Sequence, residues 1–414
     1  MTAPTIISRA DHPISRANID PDALSVLRQL RKRNHTAYLV GGGVRDLLLG
    51  RTPKDFDIGT SAHPNEVKRI FRRCWIVGRR FRLAHVRFGN KTIEVATFRR
   101  QVPDHGAATD GDAPDESAAP DRRPIRRDNT FGTPEEDAFR RDFTINALFY
   151  DISTFAVIDY VGGMRDLRRR LIRCIGDPNE RFIEDPVRMI RAVAFAARLG
   201  FRLDPPVREA IREHAGEIAH AAPARLMEEM YKLLRSGAAT RTFRLLSRTG
   251  LLRQLAPEVD RLRPKAPLWQ SLDRLDAYRN RHGSAPETLT NAVLLGSLAT
   301  PVIRIDLTPP ARDDRTVRVA LGDLSVPRRD AEYLRRLLVM LPRLTQPDPP
   351  PGAVRSILAN PSFPEALTWL EIHGQTPNAL ERWRDQLEQG PPPRAHRRRR
   401  RPRRRRRPAT TTDS

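Results

Sequence analysis

The stretch that most restricts this chain runs from Ala37 to Ile58. Ala37-Tyr38-Leu39-Val40 reads as a short apolar strand, Gly41-Gly42-Gly43 as a turn, and Val44-Arg45-Asp46-Leu47-Leu48-Leu49 as the start of a helix. The glycines free the backbone to turn and to approach a ligand closely. Helix amides set on such a turn aim at an anion. After Pro53 the chain resumes as a strand, where a period of two puts Asp55 and Asp57 on one face and Phe56 on the other. Two carboxylates on one face repel, and a divalent cation between them removes that cost. Mg²⁺ favours one or two carboxylates together with the phosphate oxygens of a substrate, so the pair points to a nucleotide. Separately, a glycine turn is often only a turn and alternate aspartates only a solvated face; their order in one segment carries the reading.

The 414 residues allow roughly two or three domains with their own cores. A formal net charge of +24 exceeds ordinary surface decoration and calls for a polyanionic partner, nucleic acid before anionic membrane. No apolar run reaches the ~18 residues of a membrane span, and Met1-Thr2-Ala3-Pro4-Thr5-Ile6 lacks the regions of a secretion signal, which predicts a cytoplasmic protein with no membrane partner. Cys74 and Cys174 stand in separate segments without a Cys-x-x-Cys spacing, so reduced structural thiols are expected.

Leu24, Val26, Leu27 and Leu30 predict an amphipathic helix over 21–33, and Val67, Ile70 and Phe71 a second one. Strands follow, with Gly89-Asn90 at the turn of a hairpin that ends near Phe98. Arg79, Arg80 and Arg82 form either a phosphate-facing edge or ordinary edge-strand charge, and Glu94 is a candidate third acid. Residues 101–128 show no periodicity and read as a mobile or disordered loop. Asp142 reads bottom-up as the cap of a helix with Phe143, Ile145 and Leu148 on its apolar face. From Glu184 a helix with Pro186 in its first turn would bury Ile190, Val193, Ala194 and Ala197. Asp185, Arg188 and Arg191 would share its other face, where the plain alternative is an i,i+3 ion pair. Helical spacing continues through Pro223 to Leu234 and on to Trp369. Eleven arginines crowd residues 394–407, a disordered, polyanion-binding tail without apolar anchors.

The turn and its Asp-x-Asp resemble the head of the nucleotidyltransferase superfamily that contains bacterial poly(A) polymerases and tRNA CCA-adding enzymes. Gly78-Arg79-Arg80-Phe81 to Leu83-Ala84-His85-Val86 is similar to the segment that marks the polymerases against their CCA-adding relatives. The resemblance implies that Arg140-Arg141-Asp142-Phe143-Thr144-Ile145-Asn146 holds ribose and triphosphate, with Arg140 and Arg141 as ligands and Asp142 as a functional acid. It makes Glu184-Asp185-Pro186-Val187-Arg188 the element that reads the incoming base through Asp185 and Arg188, with Arg191 beside them and Ala194 where relatives carry a further arginine.

The expected fold is α+β: a nucleotidyltransferase head with a mixed sheet over 1–176, a helical neck over 177–250, a helical body over 251–388 and a basic tail over 389–414. The expected function is template-independent addition of AMP from ATP to RNA 3′ ends. Asp55 and Asp57 would hold two Mg²⁺ ions, and Gly42, Gly43 and Arg45 the triphosphate. A monomer is expected, with RNA-decay machinery as a candidate partner. The alternatives are a tRNA CCA-adding enzyme and a non-catalytic RNA-binding protein, the latter with no reason to keep both Asp55 and Asp57.

Overall fold

The computed structural model describes residues 3–78, 82–100, 130–283, 285–305, 321–322, 324–374 and 377–390. The loop expected over 101–128, the arginines at 79 and 80, and the tail from 391 onward lie outside the described residues.

The head is an eight-stranded mixed sheet. In chain order it runs β1 (Thr5–Ile7), α1 (Pro21–Lys32), β2 (Ala37–Val40), α2 (Gly42–Leu48), β3 (Asp57–Thr60), α3 (Pro64–Ile70), β4 (Cys74–Val77), β5 (Leu83–Phe88), β6 (Lys91–Thr97), α4 (Pro134–Phe139), β7 (Leu148–Asp151), β8 (Ala156–Asp159) and α5 (Gly163–Arg168). The strand order is β1-β8-β7-β2-β3-β6-β5-β4, antiparallel throughout except for β3 beside β6. Helix α1 starts where Asp20 accepts the amides of Asp22 and Ala23 and Pro21 fixes the first turn. Its buried stripe of Leu24, Val26, Leu27 and Leu30 covers the strand pair that carries the glycine turn.

A short parallel pair, β9 (Leu171–Ile172) with β10 (Arg202–Leu203), ties the end of the head to the neck. Between them lie α6 (Pro178–Glu184) and α7 (Val187–Leu199); α8 (Pro205–Glu213), α9 (Pro223–Leu234) and α10 (Ala239–Arg248) follow. The rest of the described chain is helical: α11 (Leu251–Leu255), α12 (Pro257–Asp260), α13 (Pro267–Arg281), α14 (Asn291–Ala299), α15 (Arg328–Thr345), α16 (Pro351–Leu358), α17 (Phe363–His373) and α18 (Pro377–Gln389). One buried cluster runs from Leu27 and Ile58 in the head through Val193 and Met230 to Trp383 in the body. A smaller one, around Val40, Phe98 and Phe149, backs the sheet where the glycine turn leaves it.

Three local expectations need correction. Strand β3 begins at Asp57, so Asp55 sits in the preceding loop: β2 ends at Val40, opposite Asp57, and offers no backbone partner further back. Residues 143–148 form no helix; Thr144–Asn146 is a single 3₁₀ turn, after which Leu148 pairs with Asp159 in the sheet. Asp185 lies outside the helix expected around it, in extended backbone at the end of α6, because a residue before proline is pushed out of the helical region. Cys74 and Cys174 are free and buried, as expected.

Candidate active site

The glycine turn and the acids meet at the ends of adjacent strands. Gly41 has φ +71° and ψ −136°, a backbone region that only glycine enters without strain, and this reversal turns β2 into α2. Gly43 packs on the acid loop; a Cβ there would stand 3.2 Å from the Asp55 carbonyl oxygen. Because Ile58 pairs with Val95 in parallel register, Asp57 and Glu94, one residue earlier on each strand, fall side by side on one face. Burial, the Glu94 charge and the Asp55 charge together push the Asp57 carboxyl up to about 6, against the pull of Arg141. Glu94 is half exposed and 3.7 Å from His85 Nε2, while Asp55 stands 72% exposed near Lys54. The three acids expected from the sequence therefore act on one another across the turn.

The arginines divide into a basic fork and a buried strut. Asp137, nearly fully buried, receives Arg140 on Oδ1 at 2.8 Å and Arg141 on Oδ2 at 2.8 Å. Burial acts to raise its pKa, but the two guanidinium groups outweigh burial and hold it below the usual carboxylate range. Arg141 also donates to the Asn146 carbonyl at 3.1 Å and lies close to Gly41, where a Cβ would stand 3.2 Å from Nη1. Arg45 is 2% exposed; it donates to Asp46 at 2.8 Å and to the Asn146 side chain at 2.6 Å, and its guanidinium faces the Phe195 ring. It underpins the turn from beneath.

Asp142 joins this head network to the neck. Arg191 on α7 reaches it at 2.6 Å, and it also accepts the Phe143 amide at 2.8 Å. Burial would raise the Asp142 pKa, yet Arg191 and these hydrogen bonds bring it below the usual value. Arg191 is correspondingly raised, chiefly by Asp142. Asp185 and Arg188 do not pair with each other. Arg225 on α9 grips Asp185 through two bonds of 3.1 and 2.9 Å, while Arg188 Nη1 donates to Glu184 at 2.6 Å and to the Arg181 carbonyl at 2.9 Å.

Sequence reading gave no role to Asp137, Arg225 or Phe195, and placed Asn146 only within the run that holds ribose and triphosphate. The i,i+3 and i,i+4 spacing of Asp137 to Arg140 and Arg141 was a readable signal. The bond from Arg45 to Asn146 spans 101 residues and left none.

Among the described residues no group of three or more His, Cys, Asp or Glu side chains is placed to hold a metal ion. The donors present still fit Mg²⁺: hard carboxylate oxygens, with Asp57 raised by burial and then by the charges of Glu94 and Asp55, for an ion that completes its shell with water and phosphate oxygens.

Residues 37–173 match the poly(A) polymerase head domain, and residues 200–262 match a family described as a probable RNA and SrmB-binding site of polymerase A. Poly(A) polymerase I of Salmonella typhi is 51% identical over 257 residues, 62% of this chain and 54% of its own length. The CCA-adding enzyme of Geobacillus stearothermophilus is 43% identical over 231 residues, 56% of this chain and 53% of its own length. The match thus spans about half the length of these curated relatives. A crystal structure of the Bacillus stearothermophilus CCA-adding enzyme in complex with CTP superposes with a TM-score of 0.58 at 30% identity, covering 90% of this chain and 83% of that one. The matched spans take in the strand-turn-helix with its acids, the basic fork and most of the helical neck, and the chain belongs to the tRNA nucleotidyltransferase/poly(A) polymerase family.

Proposed function

We propose that this chain transfers AMP from ATP to the 3′ hydroxyl of RNA without a template. The 3′ oxygen attacks the α-phosphorus, the bond to the β-phosphate bridging oxygen breaks, pyrophosphate leaves and the hydroxyl proton passes to solvent. The observation that carries this is the juxtaposition of Asp57, Glu94 and Asp55 with a glycine turn flanked by Arg141. The greater identity to a poly(A) polymerase than to a CCA-adding enzyme supports adenylate addition over CCA completion.

Asp55 and Asp57 would hold Mg²⁺, which when bound supplies Lewis acidity at the transferred phosphate and a lower pKa for the attacking hydroxyl. The Gly42 and Gly43 amides face the triphosphate, with Arg45 as a buried positive charge below them. Arg140 and Arg141, pre-set by Asp137, bind phosphate and ribose. Asp142 acts as the functional acid by fixing Arg191 against the head. At the base, the Asp185 carboxylate keeps a lone pair free beyond its two bonds from Arg225 and one from the Val187 amide, and Arg188 keeps donors beyond the two that Nη1 gives to Glu184 and Arg181. Together they match an amino donor beside a ring-nitrogen acceptor, which adenine and cytosine present and guanine and uracil reverse. Cytoplasmic RNA 3′ ends, in the setting of mRNA decay, are the substrates this reading implies.

The test is extension of labelled RNA with each nucleoside triphosphate separately and Mg²⁺. ATP alone should give a ladder, with GTP and UTP poorest, and Asp55→Asn or Asp57→Asn should retain less than about a tenth of the rate while RNA binding persists. Addition of two cytidines and one adenosine to a tRNA lacking its end, followed by a stop, would overturn it in favour of CCA addition.

A further inference from the structure

We propose that Trp75 is a stacking platform for a base of the RNA strand a few nucleotides behind its 3′ end, on the face of the head sheet that carries the catalytic acids. The inference rests on the adenylyl-transfer reading and adds to it the side from which the RNA enters. Trp75 pairs with His85 across β4 and β5, His85 pairs with Glu94 across β5 and β6, and Glu94 stands beside Asp57. Residues directly opposite one another in a sheet share a face, so these four form one row from Asp57 to β4, the last strand of the sheet. On the other face of the same strands Cys74, Ala84, Val86, Ile93, Val95 and Ile58 are buried. Trp75 is 51% exposed.

A single exposed apolar side chain is ordinary, and what sets Trp75 apart is its company. A period of two puts Arg73 and Arg87 on the same face, and the Arg87 amide donates to the Arg73 carbonyl at 2.9 Å. Both side chains are exposed. Among the described residues neither has a carboxylate partner, and Arg87 gives only Nε, to the Gly89 carbonyl at 2.8 Å. The acids of the row, Asp57 and Glu94, stop two strands short of Trp75. An aromatic ring beside free guanidinium groups suits a single strand of nucleic acid: the charges follow the phosphates, and the ring accepts the face of any base.

The direction of the reaction selects the occupant. The glycine turn that faces the triphosphate follows β2, on one side of Asp57, whereas β6, β5 and β4 lie on the other. In-line transfer places the attacking oxygen and the leaving pyrophosphate on opposite sides of the α-phosphorus. A triphosphate over the turn therefore requires the attacking strand to come from the β6 side, along the row that ends at Trp75. With neighbouring strands ~4.8 Å apart, Trp75 lies roughly 14 Å from Asp57 across the sheet. At ~3.4 Å per stacked base that is a reach of about four nucleotides. A nucleotide whose base is read at Asp185 and Arg188 lies on the turn side, which leaves the RNA strand for Trp75.

The experiment measures extension of oligo(A) primers of about two and about ten nucleotides, shorter and longer than that reach. Trp75→Ala should raise KM for the long primer at least about fivefold, the lower bound for loss of one base–aromatic stack, and leave KM for ATP at its wild-type value. The gap in KM between the two primers should shrink to match. Trp75→Phe should restore most of the loss, because a smaller ring still stacks. An abasic nucleotide about four positions from the 3′ end should weaken binding to the wild type and make no difference to Trp75→Ala, a comparison that needs no well-folded variant on the wild-type arm. Arg73→Gln with Arg87→Gln should flatten log K against log salt by about 1.4, at roughly 0.7 per lost cation. An unchanged KM for the long primer overturns the proposal, as does an equal rise for both primers. A shift from dimer to monomer in Trp75→Ala with RNA binding intact also overturns it, since it would make the β4 edge a contact between copies of the chain. If the wild type extends no RNA, binding of labelled oligo(A) still decides: weaker binding by Trp75→Ala keeps the platform while the adenylyl-transfer reading fails.

Discussion

At Asp57 burial, Glu94 and Asp55 hold the carboxyl near pH 6, well above an ordinary aspartate, and this sets a stability cost with a definite sign. A carboxyl whose pKa is raised in the fold favours the folded state while protonated. That contribution is complete below the unfolded value near 4 and is lost as pH rises through about 6. With divalent cations chelated, Asp57→Asn should therefore melt above the wild type at pH 8, by an amount equivalent to at most about 3 kcal/mol, and the two should converge by pH 4. Adding Mg²⁺ should raise the melting temperature of the wild type and not that of the variant. A variant that melts with or below the wild type at pH 8 would show that Asp57 carries no strain from its neighbours. The same substitution removes transfer activity, so this residue would gain stability as it loses function.

Asp142 and Arg191 connect two elements, the turn before β7 and helix α7, so breaking them tests how head and neck are held together. Asp142→Ala leaves a guanidinium facing a vacated pocket. It should cost about 3 kcal/mol, the low end for a buried pair because Arg191 keeps 38% exposure. The Asp142 pKa is depressed, so the pair's contribution is present above the ordinary carboxylate value and fades as pH falls through the folded one. Asp142→Leu with Arg191→Leu should recover most of the melting temperature yet remain inactive; recovered activity would make the pair a structural tie alone. This junction also marks how far local pattern reaches. Helix α1 and the β5–β6 hairpin were legible because their periodicity is decided within the segment. Phe143, Ile145 and Leu148 have helical spacing too, but Leu148 is claimed by β8 and Phe143 by a bridge to Cys174, both outside the segment that carries the spacing. The position of Asp185 was readable from Pro186 and was overlooked. The structure brings Asp55, Asp57, Glu94 and Arg141 together beside the glycine turn. The role of Asp137 was readable from its i,i+3 and i,i+4 spacing to Arg140 and Arg141, whereas Arg225 rather than Arg188 holding Asp185 depended on a contact only the folded chain makes.

At the scale of the whole chain, positive charge is held by carboxylates in one place and crowded along the sequence without acids in another. The active-site arginines are paired and fixed, which suits recognition of one nucleotide. The eleven arginines of residues 394–407 are interspersed in sequence with prolines and small residues, a composition that suits diffuse attraction to a polyanion. Removing residues 391–414 should accordingly weaken RNA binding for every sequence alike and flatten log K against log salt by at most about 7, taking roughly 0.7 per released cation for a charge near ten. Because the tail supplies encounter rather than geometry, the rate at saturating RNA should stay at the wild-type value and the loss should appear in kcat/KM for RNA at physiological salt. Titration of RNA extension for the truncated chain at two salt concentrations measures both. A fall in the saturated rate would mean that the tail touches the reaction itself, and an unchanged salt slope would mean that it does not touch RNA.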